Sequence, residues 1–191
     1  MADQKPVVTE AVALHAAELA DLVSLQQDLA FVRDAAKYVS EMDELAHDVV
    51  ALRSYWGSAL VAYRRAFNDG KGFGSVPRRA KLRVPPELVE ALDPGLKSVH
   101  EESLENANRH IAHRVNDLSQ VKVEIVNDPR GNGKVGVVIL SAFQLGPGPG
   151  QALQLSILAG TLESSIGAQV KKRHHELLTE ANGGPPPSQD A

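Results

Sequence analysis

The chain has 191 residues, of which 43% are hydrophobic and 23% are charged, and it contains no cysteine. This length suits one domain and the composition is typical of a globular protein, while the lack of thiols excludes disulfides, cysteine nucleophiles and thiolate metal sites. The mild net charge of −4, together with an amino terminus without a leader pattern and no apolar run of membrane length, predicts a cytoplasmic protein that does not enter the membrane.

The sequence of the first half of the chain predicts two long helices. Residues 1–18 carry no apolar period and are expected to form a flexible segment. From Leu19 to about Ser40, apolar residues recur at spacings of three and four, as on one face of an amphipathic helix. The same spacing predicts a second helix from about Asp43 to Asn68, which three nearby glycines end.

A strongly basic segment lies between Arg53 and Arg83, where eight basic residues accompany a single acid, whereas residues 1–50 hold ten acids and three bases. Two interpretations stay open. The cations bind RNA phosphates, or they neutralise the acidic first helix by packing or dimerisation. The candidate RNA contacts are Arg64, Arg65, Arg78, Arg79 and Lys81.

The stretch GKGFGSVPRRAKLRVPP predicts an irregular connection, followed by a short helix in PPELVEAL. A third long helix is expected to start after Asp93 and Pro94, which suit a helix start, and to continue to about Val115. Its apolar stripe is sparse and is interleaved with polar residues. The stripe contains Val99, Leu104, Ala107, Ile111 and Val115.

The period then changes from 3.6 to 2 in VKVEIV, and the β-branched run VGVVILSAF follows a turn, so the sequence predicts an antiparallel hairpin. A last helix is expected from about Ala152 to Ala181, before a disordered tail at 183–191. The fold class is therefore mainly α, a helical bundle of residues 19–182 with one hairpin before the last long helix. Because two strands alone are marginal in water, the hairpin must lie against helices or pair in a homodimer.

The third helix carries the densest polar cluster of the chain, in HEESLENANRHIAHR. Spacings of four, three and four place Glu102, Asn106, Arg109 and His113 on one side of a helix. An imidazole beside a guanidinium suits phosphodiester chemistry. The alternative is a solvated helix face with ion pairs such as Glu105 to Arg109.

The segment NANRHIAHRV, which follows a long helix containing AYRRAFNDGKGF and precedes a strand pair and a final helix, resembles the HEPN superfamily, particularly its abortive-infection-type members. The resemblance implies a helical bundle, commonly a homodimer, that often acts as a metal-independent ribonuclease in toxin-antitoxin or phage-defence systems. Asn108, Arg109 and His113 match the family's RN(K/R)xxxH form, but Ala107 occupies the position of its leading arginine. The resemblance thus implies a degenerate site.

The resemblance implies an RNA-associated protein of a conflict or defence system, without cofactor or metal, in which catalysis has been weakened or lost. The candidate catalytic residues are His113, Arg109, Asn108 and His110. The alternative is a non-enzymatic structural or partner-binding helical dimer, including an antitoxin-like or immunity role. Replacing Ala107 with arginine tests the ribonuclease hypothesis, provided that the residue faces the site.

Overall fold

A computed structural model describes residues 14–42, 48–69, 81–112, 119–127, 134–143 and 146–182 of the chain. It confirms the predicted fold class, a mainly helical protein with one antiparallel hairpin before the last long helix. The elements are α1 (Leu14–Ser40), α2 (Val49–Phe67), α3 (Pro86–Glu90), α4 (Pro94–Ala112), β1 (Ser119–Asn127), β2 (Lys134–Phe143) and α5 (Pro149–Ala181).

Helix α1 begins at Leu14, five residues before the predicted start, so the segment expected to be flexible is already helical in its last part. Besides the buried Ala17, polar pairs connect this end of α1 to α5. His15 lies 2.6 Å from Glu180, and Arg173 lies 3.2 Å from Glu18, so the first turn of α1 is paired with the last turns of α5. An apolar period cannot reveal a helix end that is held by such pairs.

Helix α2 begins at Val49, later than predicted, because Asp48 caps it. The Asp48 carboxylate accepts hydrogen bonds from the backbone N–H groups of Val50 at 2.8 Å and Ala51 at 3.3 Å. These groups are among the donors that have no partner inside the helix. The predicted first residues of this helix, 43–47, lie outside the described residues, as does the predicted end of the third helix at Val115.

The core lies around α1, which packs antiparallel to α5 on one side and to α2 on the other. Arg33 near the end of α1 pairs with Glu163 of α5, and Asp28 pairs with Arg65 near the end of α2. Aliphatic residues at helical spacing meet between these three helices and are fully buried. They include Leu25, Leu29, Val32, Leu60, Leu155, Leu158 and Leu162. Full burial of such side chains contributes about 1.5–3 kcal/mol each.

The hairpin leaves the bundle at the end where α2 starts. Gly146, just after β2, lies against the side chain of Leu52, and a Cβ at this glycine would come within 3.0 Å of it. Strands β1 and β2 pair in antiparallel register, with Val123 opposite Ile139 and Ile125 opposite Val137. Among the described residues, no helix packs extensively against either strand. The described residues therefore do not show the first of the two expected arrangements, close packing of the hairpin on the chain's own helices.

Candidate functional site

The predicted polar stripe of α4 follows one side of the helix, as its spacing indicates. Glu102 is exposed and Asn106 and Arg109 are half-buried. The guanidinium of Arg109 pairs with Glu105 one turn earlier on the same helix, which is the intrahelical ion pair expected for a solvated helix face. His113 lies outside the described residues, so the structure does not test its place in the stripe.

The position that would complete the family motif faces the core. Ala107 is 0% exposed and belongs to the buried cluster between the helices. Asn108, the next residue, is exposed, and of His110 only the helical backbone is described. An arginine at position 107 would therefore project into packed apolar surface instead of toward solvent.

Arg64, a candidate RNA contact on α2, follows Tyr63, and Tyr63 contacts His100 in the first half of α4. Arg109 lies nine residues after His100 on the same helix, which corresponds to about 13 Å along the helix axis. The point where Tyr63 meets α4 is therefore more than two helical turns from Arg109.

The basic segment is partly neutralised within the fold. Two nitrogens of the Arg65 guanidinium, Nε and Nη2, donate to the two carboxylate oxygens of Asp28. Asp28 belongs to the acidic first helix and is itself 8% exposed. Lys81 donates a hydrogen bond of 3.0 Å to the backbone carbonyl of Arg65. Arg78 and Arg79 lie outside the described residues. For Arg65 the geometry is that of internal neutralisation.

The sequence did not point to the polar pair formed by the buried Tyr63 and the half-buried His100. The Tyr63 hydroxyl lies 2.7 Å from Nδ1 of His100, and the Tyr63 side chain is fully buried. Burial raises the pKa of Tyr63 above its usual value and lowers the pKa of His100. Both groups are therefore neutral near pH 7, and they share one hydrogen bond whose donor is set by the tautomer of His100. One signal was available in the sequence, because His100 lies three and seven residues before the buried Ser103 and Ala107.

Two open clefts border these elements. One, of about 350 Å³, is lined by Phe67, Arg83, Val84, Pro86, Val89, Glu90 and His100. Its cation, Arg83, lies 3.3 Å from the carboxylate of Asp69. The other, of about 580 Å³ between α1 and α2, is lined by Asp28, Phe31, Arg53, Ser54, Gly57, Ser58, Val61, Ala62 and Arg65. Both clefts have volumes in the range of small-ligand sites. At the margin of the first cleft, however, Arg83 is paired with Asp69, and at the margin of the second Arg65 is paired with Asp28.

The hairpin carries the most exposed apolar surface of the described residues. Because side chains alternate along a strand, the paired register places Val123, Ile125, Val137 and Ile139 on one face, which we call the aliphatic face. These four side chains are 53–68% exposed. The opposite face, which we call the mixed face, contains Lys122, Glu124, Val126, Val138 and Leu140. On it, Lys122 and Glu124 form an ion pair.

The comparisons with known proteins assign no family to the chain. Comparison with protein-family models, with curated proteins and with solved structures gave no match. Among the described residues, no group of three or more histidine and carboxylate side chains is placed to hold a metal ion. Within the same ranges, none of the helices has the length and apolarity needed to cross a membrane.

Proposed function

We propose that this protein is a non-enzymatic, partner-binding helical protein in which the bundle forms the base and the projecting hairpin is the binding element. The observation that carries the proposal is the aliphatic face of the hairpin, where four side chains, each more than half exposed, lie side by side. Contiguous exposed apolar surface of this kind marks interaction sites on soluble proteins.

The low stability of an uncovered hairpin supports this proposal. A two-stranded sheet is marginal in water when nothing covers it, and here none of the described helices packs extensively against it. Its outer edges also offer unpaired backbone groups. A partner that covers the aliphatic face would bury the apolar side chains that the chain's own helices leave exposed.

The geometry of α4 supports binding over catalysis. The leading position of the family motif, Ala107, is buried in the core, and Arg109 is engaged by Glu105. Ribonuclease chemistry needs a free cation beside the phosphate as its charge develops. A site built on these residues would have to break the existing ion pair first.

Affinity capture with the tagged full-length chain tests the proposal. Three versions are compared: the natural chain, a chain with Val123→Thr and Val137→Thr on the aliphatic face, and a chain with Val126→Thr and Val138→Thr on the mixed face. We expect a stoichiometric partner, either another protein or untagged copies of the chain, that is lost only with the aliphatic-face variant. Equal capture by all three chains would remove the hairpin from this role.

A second proposal follows the resemblance to the HEPN superfamily, namely an RNA-associated role in a conflict or defence system. The specific observation in its favour is that Asn108 is exposed on α4 and adjoins the half-buried Arg109. If the basic segment contributes, neutralising Arg78, Arg79 and Lys81 together should weaken RNA binding, and the affinity should fall steeply with salt because phosphate contacts release counterions. RNA affinity that is unchanged in this variant contradicts a role of the segment.

A further inference from the structure

The aliphatic face of the hairpin has an internal symmetry. Val123 stands opposite Ile139, and Ile125 stands opposite Val137, so the four residues occupy the corners of a rectangle. A two-fold axis through its centre, perpendicular to the sheet, exchanges the two valines with each other and the two isoleucines with each other. Valine and isoleucine therefore alternate around the rectangle.

This alternation makes the face complementary to itself. When two copies stack face to face with their strands aligned, the two-fold axis that relates them lies in the plane between the sheets. Whether that axis runs along the strands or across them, each valine of one copy lies above an isoleucine of the other. Small side chains thus meet large ones, which is the arrangement that fills space between packed layers.

The mixed face lacks this property. Its ion pair between Lys122 and Glu124 occupies one strand, opposite Leu140 and Val138 on the other. Stacking two such faces would take two charged pairs out of water, and the desolvation of the charges opposes this. Only the aliphatic face is free of charged residues at its four corners.

The area decides how tight such a contact can be. A fully exposed aliphatic side chain offers on the order of 100 Å². The four corner side chains are 53–68% exposed, so together they contribute roughly 500 Å² of exposed area over two copies. This area lies below the about 1,200 Å² that separates weak, transient interfaces from stable ones. The contact is therefore expected to be weak and reversible.

The geometry points to a second copy of this chain as the occupant of the aliphatic face, in a two-fold symmetric dimer held by face-to-face stacking of the two hairpins. The inference rests on the proposed binding role of the hairpin and adds the identity of the partner. In such an isologous contact, the same surface of both copies contributes, and no complementary site elsewhere on the bundle is required. The dissociation constant is expected in the micromolar range because the area is small.

Light scattering of the full-length chain over a range of concentrations measures the self-association. We expect the mass to rise from 20.5 kDa toward twice that value as the concentration passes through the micromolar range. The pair Val123→Thr and Val137→Thr should raise the dissociation constant about a hundredfold or more, because four hydroxyls enter the apolar contact. The matched pair Val126→Thr and Val138→Thr should leave the constant within about twofold. Threonine keeps the β-branched shape, so both variants retain the strands.

Thiol cross-linking provides a readout that does not depend on affinity, since the natural chain has no cysteine. Ile139→Cys lies at one corner of the aliphatic face, so a short bifunctional thiol reagent should join it to its counterpart across the stacked faces and give a cross-linked dimer. Leu140→Cys, the next residue, lies on the mixed face and should remain uncross-linked. Both experiments use the folded full-length chain, checked by circular dichroism.

Any of the following results would overturn the inference. The chain stays monomeric at high micromolar concentration and does not cross-link at position 139. The dimer forms but neither threonine pair changes its dissociation constant, or cross-linking is equal at positions 139 and 140. A monomeric chain that binds phosphatidylcholine–phosphatidylglycerol vesicles through the aliphatic face would identify a lipid surface instead. A monomer that still captures another protein through this face would end the dimer inference and leave the proposed binding function standing.

Discussion

The hydroxyl of Tyr63 lies 2.7 Å from Nδ1 of His100 and joins the end of α2 to the first half of α4 inside the bundle. The ring of Phe67 packs on the same imidazole, with centroids 4.7 Å apart. The buried hydroxyl and the half-buried imidazole thus satisfy each other, and each would lose a partner if the other were removed. The pair fixes which helical turns of α2 and α4 face each other.

We expect the free energy of unfolding to depend on pH through His100. Desolvation lowers the pKa of His100 in the folded state below the ordinary value of 6.5, so the unfolded chain binds this proton first as the pH falls. The stability that neutral His100 contributes is fully present above about pH 6.5 and is lost as the pH falls through the lowered pKa. Urea unfolding between about pH 7.5 and about pH 5 measures this loss.

The matched control for the pH experiment is His100→Asn, whose side-chain oxygen can still accept from Tyr63 but does not titrate. The natural chain should lose more stability than this variant on acidification, because all other groups are common to both. Parallel pH profiles for the two chains would mean that His100 does not couple protonation to folding.

Removing the hydroxyl alone should also destabilise the bundle. Tyr63→Phe leaves Nδ1 of the half-buried His100 without its partner, and we expect a loss of about 1–2 kcal/mol in the free energy of unfolding. Tyr55→Phe on the same helix provides the control, because Tyr55 is 41% exposed and keeps its ring contact with Tyr38. Its effect should stay within about 0.5 kcal/mol. Equal losses for both variants would show that the hydrogen bond is not stabilising.

Much of the fold follows from local patterns in the sequence. The change of period from 3.6 to 2 correctly located the hairpin between two helical regions, since side-chain periodicity reports directly on which face is buried. The apolar stripe of the third helix included Ala107, which is indeed fully buried. Helix ends were less predictable because polar pairs determine them, as Asp48 does for α2 and His15 with Glu180 does for α1.

The functional surface could be predicted only in part. Alternation in VKVEIV placed Val123 and Ile125 on one face of a strand, but the register with Val137 and Ile139 depends on the turn, and its outward orientation depends on how the hairpin leaves the bundle. Neither is encoded in a local period. The motif around Arg109 could be recognised in the sequence. Which of its residues face the core, however, depends on where the neighbouring helices pack.

The buried carboxylate of Asp21 provides another test. Asp21 is 0% exposed and accepts a hydrogen bond of 2.9 Å from the backbone N–H of Leu82, which connects α1 to the segment that enters α3. Asp21→Ala should cost about 2–4 kcal/mol, since it leaves a cavity and removes the acceptor of a backbone amide. Hydrogen exchange at the Leu82 amide should become faster.

Asp34→Ala serves as the control for this prediction, because Asp34 lies on the same helix with a largely exposed side chain. Its cost should stay within about 1 kcal/mol. If Leu82 exchanges at the same rate in the natural chain and in Asp21→Ala, the buried carboxylate does not hold this segment.

Ala107→Arg separates the binding proposal from the ribonuclease hypothesis. The change restores the leading arginine of the family motif, but Ala107 is fully buried, so the new guanidinium must either enter the core unpaired or displace the packing around it. We expect a loss of at least about 3 kcal/mol in the free energy of unfolding, or a chain that does not fold, and no RNA cleavage. Asn108→Arg is the matched control at the adjacent exposed position, where arginine has the better helix propensity and should leave stability within about 0.5 kcal/mol. Thermal unfolding and incubation with single-stranded RNA in the presence of a chelator measure both properties. A folded Ala107→Arg chain that cleaves RNA, and loses this activity with His113→Ala, would mean that position 107 can reach a working site and that the ribonuclease hypothesis should replace the binding proposal.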